Sequence, residues 1–261
     1  MGSTSDLPVM QEAIDFLKSL NIKNLDWMSA ETKVKALDKL HAFTPKIAYP
    51  DKFKNYDGLT VTKTNFLQNL RSAAVWGYAD MVSQLGKPVD KTRWGMSTPT
   101  VNAYYNPSIN EIVFPAGIMQ PPFFSAQYED ALNYGRIGMV IGHEFTHGFD
   151  DMGAKFAADG SFKNWWTDED LQSFGEKTKI LGETFAAFCP MEDQCVNPDL
   201  TMGENIADLG GLTMAFYAYK RTAEFKANEI REPLPLFGTV QRSNGRCIPR
   251  RCCWFVRYRE L

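Results

Sequence analysis

"VIGHEFTHGFDD", Val140 to Asp151, holds two of the three histidines in the chain. They stand four residues apart, with a glutamate directly after the first. On a helix, positions i and i+4 share one face, one turn apart. His143 and His147 can therefore aim two imidazoles at one ion. Zinc takes histidine nitrogen at about 2.0–2.1 Å in tetrahedral geometry, and a catalytic site keeps three protein ligands and leaves the fourth position to water. Glu144 is offset around the helix, so it belongs beside that water and not on the metal. A carboxylate there can take the water's proton and pass it to a leaving amine. Two structural histidines on an ordinary helix are the competing explanation, and a third ligand would weaken it.

Glu204 in "TMGENIADLGGL" is that third candidate, on a second predicted helix 57 residues after His147. It completes a His-His-Glu set for one zinc per chain. Asp208 follows at i+4 on the same face, where it can accept the free ring N–H of a ligating histidine and fix its tautomer. An E-x-x-x-D pair alone is usually a solvated face; the zinc motif and the flanking glycines make this one more specific. Asp150 is either a second acid of this kind or an ordinary residue of the turn after the helix. His41 ends a separate predicted helix, a place the helix dipole favours, and is read as structural.

The apolar fraction is 44%, enough for a core. With 28 basic and 31 acidic side chains the charge is near balance, which argues against a nucleic-acid surface. No apolar run reaches the length of a membrane span, and "MGSTSDLPVM" lacks a secretory pattern. Cys189 and Cys195 are close enough in "FCPMEDQC" to pair, or are two plain thiols. Helical spacing runs through "MQEAIDFLKSL" and "SAETKVKALDKLHAF", the latter capped by Ser29. Residues 46–60 read as a connector, 61–85 as helix, and "TVNAYYNPSINEIVFPAG" as a hairpin. Further helices are expected after Ser125, after Thr167 and from "GENIADLGGL" to Phe225. The fold class is α+β and mainly α-helical, with a small β element beside the zinc-binding helices.

"VNAYY", "EIVFPAGIMQPPFFSAQ", "NYGRIGMVIGHEFTHGFDDMGAKFAADGSFKNWWT" and "GENIADLGGL" together resemble the neprilysin-type zinc metallopeptidases, the M13 family. The likeness runs from about Leu25 to Lys220. It implies a thermolysin-like (gluzincin) core that cuts oligopeptides on the amino side of hydrophobic residues. By motif position, His143, His147 and Glu204 are the expected zinc ligands. Glu144 and Asp208 fall in the catalytic set, as proton carrier and as the acid behind a ligating histidine. Asn102 and Ala103 match the edge that hydrogen-bonds a substrate backbone. Ile118, Phe123, Met139 and Val140 match the pocket for the residue after the cut. The resemblance also implies an extracellular, periplasmic or membrane-anchored ectoenzyme.

On this reading residues 1–60 are a helical segment and connector from the family's upstream lobe, 61–236 the catalytic core, and 237–261 a basic, Cys-rich tail. That tail, "FGTVQRSNGRCIPRRCCWFVRYREL", departs from the family pattern and reads as an abnormal end or fragment boundary, or else as a basic binding tail. The family also uses a distal histidine and arginine, and no histidine follows His147 here. A catalytically impaired zinc-binding module is therefore the alternative expectation.

Overall fold

The structure is a computed structural model that describes Ile22 and residues 25–230. The helix expected in "MQEAIDFLKSL" and the tail from Phe237 lie outside the described residues. The chain divides into two compact units, Met1–Thr222 and Ala223–Leu261. Of the second, the described part is one helix, Ala223–Ile230.

Within the first unit, helix α1 spans Ala30–His41 and strand β1 spans Thr44–Ala48. Helix α2 is Phe66–Val82, followed by strands β2, Tyr104–Asn106, and β3, Glu111–Pro115. A continuous helical run then joins α3, Asp130–Asn133, a π-helical turn over Tyr134–Gly138, and α4, Met139–His147. Two long helices close the unit: α5, Asp168–Ala186, and α6, Pro198–Tyr219. No described helix is long and apolar enough to cross a membrane.

The expected hairpin is present: β2 pairs antiparallel with β3, Tyr105 opposite Ile112. The segment read as a connector from residue 46 instead continues β1, which pairs parallel with the other edge of β3. "TPKIA" has no period-2 pattern and carries a proline, which an edge strand tolerates, so only its distant partner identifies it as a strand. Ser125 does not cap the long helix; Glu129 precedes α3 and gives no side-chain cap bond. The helix bearing "GENIAD" starts earlier than expected, at Pro198, with the Asn197 side chain accepting from Asp199 N. It ends at Tyr219 and a new helix begins at Ala223, a break hidden by the unbroken apolar text.

The larger core gathers Leu40 of α1 and Phe43 just after it, Ile112 and Phe114 of β3, and Ile141 and Phe145 of α4. Phe43 is the hinge of this cluster, 5.1 Å from the rings of both Tyr105 and Phe145. A second cluster packs Met28 and Ala36 against Ala154, Trp165 and Trp166. Helix α2 forms as its spacing suggests but buries none of its residues.

Two contacts fix how the helices sit. First, α4 and α6 meet at glycines: a Cβ on Gly211 would stand 2.6 Å from His143 N, and one on Gly142 would stand 2.8 Å from Gly211 Cα. Backbones can approach this closely only where side chains are missing. Second, the N-termini of α1 and α5 cap each other. Asp170 Oδ1 accepts Ser29 N at 2.9 Å and Oδ2 accepts Ser29 Oγ at 2.5 Å, while Thr167 N donates to Thr32 Oγ1 at 3.3 Å. Burial alone would raise the Asp170 carboxyl, but the hydrogen bonds from Ser29, Thr32 and Thr167 outweigh it and hold the pKa down at about 2.

Gly211→Ala should force the helices apart and cost about 1–3 kcal/mol in thermal or denaturant unfolding; an unchanged midpoint would show that the approach is not tight. Asp170→Asn should cost about 1.5–3 kcal/mol at neutral pH, the usual worth of hydrogen bonds to a charged group. A depressed carboxylate stabilises above its unfolded pKa, about 3.9, and loses that contribution as pH falls through the folded value. The stability gap between the parent and Asp170→Asn should therefore close between about pH 4 and pH 2. A gap that stays constant over that window would contradict the capping role.

Candidate metal and catalytic centre

His143 and His147 lie one turn apart on α4, and their rings meet edge to face with centroids 4.5 Å apart. The glycine crossing brings Glu204 of α6 against both. Glu204 Oε2 stands 3.2 Å from His143 Nε2 and 3.7 Å from His147 Nε2. One ligand atom from each of the three residues lies within 4.8 Å of the others.

The other ring nitrogens are already engaged. His143 Nδ1 is 2.8 Å from Asp208 Oδ1, and His147 Nδ1 is 2.7 Å from Asp150 Oδ2. An ionised carboxylate only accepts, so each Nδ1 donates its proton to an acid. The nitrogens left to serve as ligand atoms are the two Nε2 atoms that face Glu204. Ligand atoms held at about 2.0–2.1 Å around a tetrahedral ion stand roughly 3.3 Å apart, near the 3.2 and 3.7 Å that separate Glu204 Oε2 from the two Nε2 atoms. The residues present thus fit zinc in donor type, number and separation.

Glu144 is not part of this triplet but lines the same cleft and is buried, 5% exposed, whereas the Glu204 side chain is 66% exposed. Burial pushes the Glu144 carboxyl up to about 7. The two histidines pull the other way, Glu204 adds to the rise, and a backbone hydrogen bond with Tyr105 lowers it. Burial would lower His147, yet its bond to Asp150 and the charges of Glu144 and Glu204 leave it raised.

These groups share a cleft of about 420 Å³ lined by His143, Glu144, His147, Asp150 and Glu204, with Asn102, Ala103 and Tyr105 opposite. Asn102 is exposed and Ala103 buried, immediately before the edge strand β2. Asn102 Oδ1 accepts from Ala103 N at 2.9 Å. The four apolar candidates are placed differently. Ile118 is buried in the larger core, Phe123 and Val140 pack against that core, and Met139 is half-buried at the start of α4; none lines the cleft. His41 is exposed in the last turn of α1, outside the group of possible ligands among the described residues.

Sequence reasoning missed Tyr105 and Lys39. Tyr105 sits within "VNAYY", where its half-buried ring turns to the cleft and its hydroxyl donates to Asn110 Oδ1 at 2.9 Å. Lys39 looked like a solvated helix lysine, but its ammonium is buried behind the turn that follows His147.

Comparison with known proteins agrees with this geometry. A profile described as peptidase family M13 matches residues 102–239, and a second with the same description matches 13–50. Human neprilysin is 40% identical over 225 residues, covering 81% of this chain and 30% of neprilysin. Neprilysin-11 of Caenorhabditis elegans is 40% identical, covering 81% of this chain and 26% of that protein. Among solved structures, the Mycobacterium tuberculosis zinc metalloprotease Zmp1 in complex with an inhibitor superposes with a TM-score of 0.79 at 43% identity, covering 82% of this chain and 34% of that one. PepO from Lactobacillus rhamnosis gives 0.79 at 32%, covering 87% of this chain and 37% of that one. The chain thus spans about a third of the length of these relatives. With the profile matched across more than half of its length and the His-His-Glu cluster in place, this chain belongs to peptidase family M13.

Proposed function

We propose that this chain carries the catalytic centre of a zinc-dependent endopeptidase, with the ion held by His143, His147 and Glu204. The observation that carries the reading is the convergence of two free Nε2 atoms on one carboxylate while both Nδ1 atoms are tied to Asp208 and Asp150. When bound, zinc would supply Lewis acidity towards a scissile carbonyl and an attacking water.

The chain's own residues supply the rest. Glu144 is buried beside the ligand face, where it takes a proton from the attacking water and delivers it to the leaving amine. Asp208 and Asp150 hold the imidazoles in one tautomer and orientation. Strand β2 is the outer strand of the three-stranded sheet and leaves an open edge at the cleft. An extended peptide can add there as a further strand, with Asn102 and Ala103 meeting its backbone. Ile118, Phe123, Met139 and Val140 match the family's pocket for a hydrophobic residue after the cut by motif position, and the apolar character of all four supports that preference although they lie outside the cleft lining. A zinc-binding module without catalysis would leave the buried Glu144 with no task.

The bond between Cys189 and Cys195 supports an oxidising compartment outside the cytosol.

The parent should take up one zinc, and His147→Ala should lose it, as read by metal analysis after dialysis. Undiminished zinc in His147→Ala would end the ligand assignment. Glu144→Gln should keep the metal but lower hydrolysis of a quenched peptide by at least about a hundredfold. Loss of zinc in that variant would make Glu144 a ligand instead.

A further inference from the structure

Lys39 is the largest fully buried side chain among the described residues, with 0% exposure. The proposed hydrolysis does not use it, and α1 contributes no ligand. A buried ammonium is costly unless its donors are met. The three N–H bonds of Lys39 Nζ go to main-chain carbonyls: Gly148 O at 2.6 Å, Gly153 O at 2.7 Å and Phe156 O at 2.7 Å. The rings of Phe149, Trp165 and Tyr105 surround it at 5.6, 5.8 and 5.9 Å, adding cation–π attraction. Those three carbonyls span the turn that leaves His147.

Asp150 is the hub of that turn. Its Oδ1 accepts Met152 N at 2.9 Å and Gly153 N at 2.6 Å, while Oδ2 accepts His147 Nδ1 at 2.7 Å. Gly153 lies so close to the helix end that a Cβ there would stand 1.8 Å from His147 O. The turn is thus folded back on the histidine, and Lys39 is the side chain that ties its two ends together. Asn110 Nδ2 donates to Lys39 O at 3.1 Å and to Ala158 O at 3.2 Å, joining α1 to the same segment.

We propose that Lys39 is a positioning residue for the metal centre: by clasping Gly148, Gly153 and Phe156 it holds the turn in the shape in which Asp150 reaches the His147 ring. The inference rests on the reading of His147 as a zinc ligand. It makes the grip on zinc depend on a helix remote in sequence, which a purely structural lysine would not do.

The test is zinc affinity of the full chain by chelator competition, with hydrogen exchange of the amides of residues 150–156 in metal-free protein. Lys39→Met should weaken zinc about tenfold or more, as loss of support behind a ligating histidine does, and should speed exchange in the turn. Lys39→Arg, which keeps the charge and donors, should recover part of the affinity. Val34→Gly, at an exposed position of the same helix, loosens that helix without touching the turn; it should lower Tm but leave zinc affinity within about twofold. In an Asp150→Asn background, Lys39→Met should cost little further affinity, because both act on one ring. Lys39→Gln carries the same comparison if Lys39→Met does not fold. Parent-like zinc affinity in a folded Lys39 variant, an equal loss in Val34→Gly, or full additivity with Asp150→Asn overturns the proposal. If the parent itself takes up no zinc, the metal reading fails separately. The exchange data then decide the clasp, and unchanged exchange in the turn overturns it.

Discussion

Helices α4 and α6 touch backbone to backbone where Gly142, Gly210 and Gly211 leave no side chains between them. This approach is what allows a carboxylate from one helix to reach two histidines on the other. Side chains of ordinary size would hold the axes at about 8–10 Å, and Glu204 would then stand away from the imidazoles. Thr146 fills the space over Gly210 and bonds back to Gly142 O at 2.8 Å, so even the small polar residue at the crossing is satisfied within its own helix. The contact is at once a packing feature and what brings the candidate ligand set together.

Near that crossing lie three of the buried charged groups of the described residues. Glu144, Asp150 and Lys39 are all buried, and each has a partner that explains it: the two histidines, the His147 ring with two backbone amides, and three carbonyls. The positive charge of Lys39 opposes burial through its attraction to Asp150, although burial dominates and pushes the lysine pKa down to about 8. Buried charges cost least when they neutralise one another and share hydrogen bonds. A shift of the turn after His147 would therefore strand several groups together.

The parts of this site that were legible in the sequence are those governed by local spacing. His143, Glu144 and His147 follow from the helical period, and Asp208 from its i+4 relation to Glu204. That Glu204 meets them depends on the glycine crossing, and the text shows those glycines without showing what they touch. Strand β1 was not legible because a short, proline-containing edge strand is identified by its partner β3, more than sixty residues away in the chain. Lys39 was hidden by its type: the helical period puts it on the buried face with Thr32, Ala36 and Leu40, but a lysine in a lysine-rich helix is ordinarily solvated. The apolar set of Ile118, Phe123, Met139 and Val140 reads as core or pocket equally well in sequence, because both uses need the same side chains.

Whether one zinc sits on the crossing of α4 and α6 is tested most directly by X-ray absorption at the zinc edge on the reconstituted full chain. Two imidazole nitrogens and oxygen neighbours at about 2.0–2.1 Å are expected, with no sulfur shell. A sulfur shell at about 2.3 Å would contradict it, because it would assign the ion to cysteines such as Cys247, Cys252 and Cys253 and leave the His-His-Glu cluster without its metal.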